Sequence, residues 1–303
     1  MAQTEGQNGD VSAPAQSRAA KSKFLIGLIG EGIQGSRSPA LHEEEARHQG
    51  LTLHYELIDL ARGGQSVADL PRLIESAEAM GFAGLNITHP CKQAVLPLLD
   101  ELSDEARAID AVNTVVFRKG GRKGFNTDRA GFAIPFREKL ADARRQSVVL
   151  IGAGGAGSAV AYALLESGTE RLFIVDRDEA RAKALAKRMA ARFPDRLLVS
   201  SDEAASVARR ADGIVHATPT GMTGHPGLPF DPSLLRPEMW LVEVVYVPLE
   251  TELLRAARER GCRTLDGGGM AVWQAVEAFE LFTGIKPDAA RMEANFRRMV
   301  AGG

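Results

Sequence analysis

Three observations predict an α/β fold built from two successive units. At 303 residues the chain is longer than one hydrophobic core comfortably supports. From Lys23 onward short β-branched runs alternate with stretches of helical spacing, the order expected when crossover helices join parallel strands. The alternation restarts at Ser147 with an apolar run that ends in a cluster of glycines.

Taken in order, Phe24-Leu25-Ile26-Gly27-Leu28-Ile29 reads as a strand ending at Gly30, Pro39 to Gln49 as a helix, and Thr52 to Ile58 as a strand with alternating faces. A helical stretch then runs to Met80, with Pro71 tolerable only near its first turn. Gly84-Leu85-Asn86-Ile87 is a strand, and Pro90 and Pro97 bracket a short helix. Ala111 to Phe117 and Gly124 to Thr127 form a predicted hairpin across a turn at Gly120 to Lys123. Residues 129–140 suit a connecting helix. Strands are expected near 148–151, 171–175, 197–200, 213–216 and 241–245, and helices at 271–281 and 288–300. No internal repeat or heptad seam is present.

Composition narrows the partners. A formal net charge of −2 with 25% charged residues argues against nucleic acid or an anionic membrane held by bulk charge. A small-molecule substrate is expected, with the chain a monomer or homodimer. Cys91 and Cys262 lie in no ligand spacing, so neither a structural disulfide nor a metal site is expected, and a cytoplasmic setting fits. The first 22 residues are polar and lack a secretory apolar stretch, which reads as a disordered tail. Without a secretory signal the glycosylation pattern Asn86-Ile87-Thr88 carries no weight. Ser147 to Leu165 is free of charge over 19 residues, close to a membrane span, but its four glycines suit a strand, turn and helix better than a lipid-facing helix.

That glycine turn is the first chemical signal. Gly152-Ala153-Gly154-Gly155-Ala156-Gly157 follows the run Val148 to Ile151 and opens the Ala-rich stretch Ser158 to Leu165. In a Rossmann-like fold the first glycine permits the turn, the second lets backbone approach a pyrophosphate, and the last lets helix and strand pack closely. The helix N-terminus offers free N–H groups to phosphate. Asp176 closes the next predicted strand, placed to accept from ribose hydroxyls. The reading is a nicotinamide-dependent dehydrogenase using NAD, with NADP as the weaker alternative because Arg177 and Arg181 follow. A purely structural turn, and a helix cap at Asp176, are the plainer readings.

A dinucleotide fold names no substrate, so the first unit must supply the chemistry. Ser36-Arg37-Ser38-Pro39 puts two hydroxyls at a helix start, Lys92 lies just past a strand end, and Asn126-Thr127-Asp128 ends on a carboxylate. Hydroxyls, amides and a Lys/Asp pair suit a polyhydroxylated, carboxylated ligand and proton transfer. Each also has a plain reading: Ser38-Pro39 as an ordinary helix start, Lys92 as a solvated lysine, Asp128 as a cap. His42 and His89 titrate in the right range for a base, but a hydrogen-bonded structural histidine is the better reading of His89.

These stretches together resemble the shikimate dehydrogenase family, which includes quinate/shikimate dehydrogenases, and are closest in appearance to its NAD-linked quinate/shikimate members. The matching segments are Ser36 to Pro39, Gly84 to Lys92, Ala111 to Thr114, Asn126 to Asp128, Gly152 to Gly157, Ala217-Thr218-Pro219-Thr220-Gly221-Met222, Tyr246, and Asp266-Gly267 through Gln274, from Lys23 to about Asp288. The resemblance implies reversible hydride transfer between a nicotinamide and a hydroxyl-bearing ring carbon of shikimate or quinate. It implies Lys92 and Asp128 as the catalytic pair, Ser36, Ser38 and Tyr246 at the substrate carboxylate, and Thr88, Asn113 and Gln274 at ring hydroxyls or their support. Gly152, Ala153, Gly154, Gly155, Ala156, Gly157, Asp176, Arg177, Arg181, Thr218, Pro219, Met222 and Gly267 would hold the cofactor.

It further implies a catalytic, substrate-binding domain at 23–127, a Rossmann-like domain at 128–270, and C-terminal helices at 271–303 returning to the substrate domain. Two departures stand out. Cys91 replaces the aromatic residue or histidine usual before the lysine, which bears on pocket shape, and Asp176-Arg177-Asp178 replaces the Asn-Arg-Thr typical of NADP-using members. The alternatives are a non-catalytic NAD-binding regulator of the same fold and a dehydrogenase for an aminoshikimate-type analogue. Quinate and shikimate differ at the carbon bearing the carboxylate, so discrimination should lie near Ser36, Ser38 and Tyr246.

Overall fold

A computed structural model of the protein describes residues 23–201 and 204–301, so the tail expected at residues 1–22 lies outside the described residues. The first unit runs β1 (Lys23–Gly30), α1 (Ser38–His48), β2 (Thr52–Asp59), α2 (Leu70–Ala79), β3 (Gly84–Ile87), α3 (Cys91–Ala94), β4 (Glu101–Leu102), α4 (Asp104–Ile109), β5 (Thr114–Arg118) and β6 (Gly121–Phe125). Its strands form one sheet in the order β2-β1-β3-β5-β6-β4. β1 lies parallel to β2 and β3, and the β5–β6 hairpin closes the sheet in antiparallel sense.

α5 (Asp128–Lys139) leads into the second unit: β7 (Ser147–Ile151), α6 (Gly155–Glu166), β8 (Arg171–Val175), α7 (Glu179–Arg192), β9 (Leu197–Ser201), α8 (Ala204–Ala208), β10 (Gly213–His216), β11 (Trp240–Glu243), α9 (Glu252–Glu259) and β12 (Arg263–Leu265). Its wholly parallel sheet has the order β12-β11-β10-β7-β8-β9, the doubly wound arrangement whose direction reverses between β7 and β10. The pleat explains why β7 is apolar from Val148 to Ile151. Val148 and Leu150 join a core with α6 and α7, while Val149 and Ile151 face a core with α8 and α9.

The last helices, α10 (Gly268–Thr283) and α11 (Ala289–Ala301), return to the first sheet. Ala278 and Phe282 of α10 pack with Ile26 and Leu28 of β1, on the face opposite α2. α10 also lies along α5. A side chain on Gly269 would meet Pro135, and one on Gly131 would meet the Met270 carbonyl and Gln274, so the two helices run in opposite directions at close approach. Among the described residues no helix is long and apolar enough to cross a membrane, and Cys91 and Cys262 are both buried and free.

Several elements differ from the sequence reading, among them α9 and β12, which lie where no element was expected. The hairpin turn is tighter than expected: Arg118 pairs with Gly121, leaving only Lys119 and Gly120 between the strands. Gly121 takes φ 122°, and the Asp100 carboxylate accepts from the next amide, Arg122 N, at 2.7 Å. β4 and α4 were not anticipated, because neither is long enough to show a period. α4 is instead defined by its ends, with Ser103 Oγ accepting from Ala106 N at 3.2 Å and Asp110 in the left-handed region at φ 61°.

One contact in the parallel sheet predicts a stability effect. Gly213 stands beside Trp240 in register, and the buried indole occupies the place of a Cβ at 213 while Nε1 donates to the Arg144 carbonyl at 2.7 Å. Gly213→Ala must displace an anchored ring, and should lower stability by about 1–3 kcal/mol in urea denaturation. An unchanged midpoint would contradict this packing.

Candidate active site

The C-terminal edges of the two sheets face each other. A Cβ built on Gly155, at the start of α6, would come within 3.0 Å of Lys92 Cδ, so the glycine turn and the candidate lysine touch across the cleft. Lys92 enters from α3, which begins at the buried Cys91. That thiol is buried with Ile87, Val95 and Val112, and burial pushes it up to about 11. The departure at Cys91 therefore fills core space rather than shaping the ligand pocket. The Lys92 carbonyl accepts from Val112 N at 2.9 Å, tying the lysine to the segment that runs through Asn113 into β5.

Lys92 Nζ lies 2.5 Å from Asp128 Oδ2, with the side chains 16% and 8% exposed. Lys92 is thus no solvated lysine. Nor is Asp128 a cap: it is the first residue of α5, Thr127 precedes it at the cap position, and no side chain caps that end. The other carboxylate oxygen, Oδ1, accepts from Asn113 Nδ2 at 3.0 Å, and the same amide group donates to Thr127 Oγ1 at 2.9 Å. Asn113 Oδ1 accepts from Thr127 N and Thr114 Oγ1 at 2.8 and 3.1 Å. Thr114 Oγ1 accepts from Asn86 Nδ2 at 3.0 Å, and Asn86 Oδ1 accepts from the Tyr55 hydroxyl at 2.8 Å. Burial holds the Tyr55 phenol well above its ordinary range, with the Ser38 hydroxyl beside it pulling the other way. One polar chain thus joins Tyr55, next to Ser38, to Lys92. Tyr55, Asn86, Thr114 and Thr127 were not singled out from sequence, although Asn86, Thr114 and Thr127 stand inside the quoted motifs.

At the Ser38 end, Ser36 Oγ accepts from Ser38 N at 3.3 Å and Pro39 has no N–H, so the serine hydroxyls rather than the first-turn amides of α1 are the donors offered to a carboxylate. Tyr246 packs against Phe296 with ring centroids 6.3 Å apart, and burial pushes its hydroxyl up while Arg37 pulls the other way. Thr88 sits at the end of β3, its N–H on the Ile29 carbonyl and its carbonyl receiving Cys91 N. Gln274 Nε2 donates to the Ala271 carbonyl at 2.9 Å, so this amide folds back on its own helix beside Gly131.

On the cofactor side Gly152 takes φ 109°, a region that favours glycine, and a side chain on Gly157 would collide with the Gly152 carbonyl. The space over Gly154 is open and α6 begins without a side-chain cap, a cradle that fits a pyrophosphate. Asp176 Oδ2 accepts from Ala153 N at 2.7 Å and Oδ1 from Asp178 N at 2.9 Å, so Asp176 braces the turn and is not a helix cap. Asp178 caps α7 through Ala180 N and Arg181 N and pairs with Arg181 at 3.4 Å; Arg177 is exposed. A Cβ on Gly152 would lie 2.6 Å from the Ala217 carbonyl and 2.9 Å from Thr218 Cγ2, which places the Thr218-Pro219 loop against the glycine turn. Met222 is exposed further along that loop, and Gly267 leaves no room for a side chain against the Val244 and Val245 carbonyls.

The histidines take no part in proton transfer here. His89 has an exposed ring, contrary to the hydrogen-bonded reading, and contributes its carbonyl to Glu31 N. A ring beside a surface turn needs no partner but water. His42 is fully buried against Tyr55 and Phe279, both ring nitrogens lack partners, and burial pushes it down to about 3.

Comparison with known proteins agrees with this geometry. The model of the shikimate dehydrogenase substrate binding domain matches residues 28–115, that of shikimate / quinate 5-dehydrogenase residues 136–222, and that of the shikimate 5'-dehydrogenase C-terminal domain residues 267–294. The chain is 54% identical to a shikimate dehydrogenase (NADP(+)) of Streptomyces avermitilis, over 91% of this chain and 96% of that one. It is 51% identical to a quinate/shikimate dehydrogenase (NAD(+)) of Corynebacterium efficiens, over 90% and 97%. The solved quinate dehydrogenase from Corynebacterium glutamicum in complex with NAD superposes with a TM-score of 0.84 at 48% identity, covering 91% of this chain and 99% of that one.

The loop that presents Ser36 hangs on one carboxylate. Asp59 accepts from Gly32 N, Ile33 N and Gln34 Nε2, each at 3.1 Å. Burial opposes its charge, but Gln34 and the loop amides overcome that and hold it below the usual carboxylate range. A depressed folded value means that this contribution is complete above the unfolded value of about 4 and is lost as pH falls through the folded one. Asp59→Asn should therefore cost about 1–3 kcal/mol in urea denaturation near neutrality, with the gap to the parent closing at acid pH. A gap that persists in acid would show that the charge is not what holds the loop.

Proposed function

The chain belongs to the shikimate dehydrogenase family, and from that premise we propose that it catalyses reversible hydride transfer between NAD and a hydroxyl-bearing ring carbon of shikimate or quinate. The observation that carries the reading is the buried Lys92–Asp128 pair in contact with the start of α6. Bound at the glycine turn, NAD supplies the hydride acceptor and NADH the donor. Residues 23–127 with the helices of 271–303 form the substrate side, and residues 128–270 the cofactor side.

In the reducing direction negative charge grows on the ketone oxygen, and the Lys92 ammonium stands ready to stabilise it and deliver a proton. In oxidation neutral Lys92 takes that proton back. Asp128 orients the Nζ group through Oδ2, and Asn113, held by Thr127 and Thr114, orients Asp128. The hydroxyls of Ser36, Ser38 and Tyr246 receive the carboxylate, which fixes the ring at the far end of the same polar chain. Thr88 and Gln274 complete the wall over the ring, Gln274 by turning from Ala271. A scaffold that only binds a cofactor has no use for a desolvated Lys–Asp pair, since burying two charges is expensive.

The relatives carry both NAD and NADP in their names, so this chain's own residues decide the cofactor. Asp176 and Asp178 put two carboxylates where a 2′-phosphate would sit, and Arg181 is already paired to Asp178. NAD is therefore the cofactor favoured, with NADP the weaker alternative.

Lys92→Met and Asp128→Asn should each lower turnover by about 10²–10⁴-fold, followed by the absorbance of reduced nicotinamide with shikimate and with quinate, while NADH binding survives. Parental turnover in Lys92→Met would refute the mechanism. Asp178→Ser keeps a cap on α7 and removes one charge; combined with Asp176→Asn it should shift the NADP/NAD ratio of kcat/KM toward NADP by about tenfold, roughly 1.4 kcal/mol. An unmoved ratio would refute the role given to these carboxylates.

A further inference from the structure

At the C-terminal end of two neighbouring strands of the parallel sheet stands a pair that the mechanism above does not use. His216 closes β10 and Glu243 closes β11, directly opposite each other in register. Their side chains are 0% and 1% exposed, and Nδ1 lies 2.5 Å from Oε1. The other ring nitrogen, Nε2, meets Thr218 Oγ1, which also accepts from Thr220 N at 3.3 Å. One hydrogen bond thus links the Thr218 hydroxyl to Nε2, and Nδ1 donates to the carboxylate. Among the described residues Glu243 Oε2 has no partner, so the imidazole is that carboxylate's compensation.

Packing does not require this pair. The preceding residues of the same strands, Val215 and Val242, are apolar and fully or nearly fully buried, and burying an imidazole with a carboxylate is costly where a pair of apolar side chains would do. The place is also particular. β7 and β10 flank the point where strand order reverses, the crevice in which open α/β sheets bind ligands. The two residues that follow His216 are those on which Gly152 rests, through the Ala217 carbonyl and Thr218 Cγ2.

We propose that His216 and Glu243 are positioning residues for the dinucleotide: Glu243 fixes the ring, the ring fixes the Thr218 hydroxyl, and Thr218 sets the loop that supports the glycine turn. The pair touches neither substrate nor reacting atoms, so it governs cofactor affinity more than the handling of the cyclic acid. The inference rests on the reading of Gly152 to Gly157 as a dinucleotide site.

Two variants separate the linkage from general packing. His216→Asn keeps a donor where Nδ1 stood, satisfying Glu243, and loses the reach to Thr218. Thr218→Val keeps the methyl against Gly152 and loses the hydroxyl. Titrating each apo protein with NADH by fluorescence should show Kd raised about tenfold in either variant and no further in the double variant, because both break one link. The KM for the cyclic acid and the melting temperature should stay near the parent's. Parental NADH affinity in both single variants, multiplicative losses in the double, or a fall in melting temperature with all kinetic constants moving together would each overturn the proposal. A parent protein that binds no NADH would overturn the proposed function itself, and this inference with it.

Discussion

Asp128 accepts from the Asn113 amide with one carboxylate oxygen and from the Lys92 ammonium with the other, and most of the site's geometry follows from that division. A lysine side chain has several rotatable bonds and no shape of its own. It becomes a directed proton donor only because its partner is fixed from behind. Asn113 is in turn held at both ends of its amide by Thr127 and Thr114, just ahead of β5, and all three side chains are buried. The same chain continues through Asn86 to Tyr55, beside Ser38, so the two ends of the substrate are referenced to one rigid frame.

That frame belongs to the first sheet, while the hydride partner would be held by the second, and the helices between them set the distance. α5 leaves the first unit at Asp128 and packs along α10, where Gly131 and Gly269 allow close approach. α10 then covers the first sheet with Ala278 and Phe282. Leu41 of α1, Val272 and Ala275 of α10, and Met292 and Phe296 of α11 make a small core that takes in Tyr246 from the end of β11. The chain therefore crosses the cleft twice, and each crossing carries a candidate ligand, Asp128 on one and Gln274 on the other.

On the cofactor side the acidic residues do two jobs at once. Asp176 braces the turn through Ala153 N, and Asp178 caps α7, so the carboxylates that would oppose a 2′-phosphate also hold the backbone that would bind a dinucleotide. His216 and Glu243 support the same turn from the other strand. Charge placed for discrimination is thus anchored by hydrogen bonds to N–H groups, which keeps it in position.

The α/β class, the two successive units, the doubly wound second sheet and the glycine turn were legible in the sequence, because strand runs and turn glycines are local signals. Ser36, Ser38, Lys92, Asn113 and Asp128 were legible as residue types in short motifs. What the sequence could not display were relations between distant segments. Cys91 looked like part of the pocket because it adjoins Lys92, but a helical start turns adjacent side chains in different directions and sends the thiol into the core. Asp59, Tyr55, His216 and Glu243 carry no motif, and their roles arise from partners about 25 or more residues away. Local chemistry named the groups and the turns; only the packing of the two units through α5 and α10 decided which of them meet, since a hydrogen bond depends on position in space and the chain encodes position only through its fold.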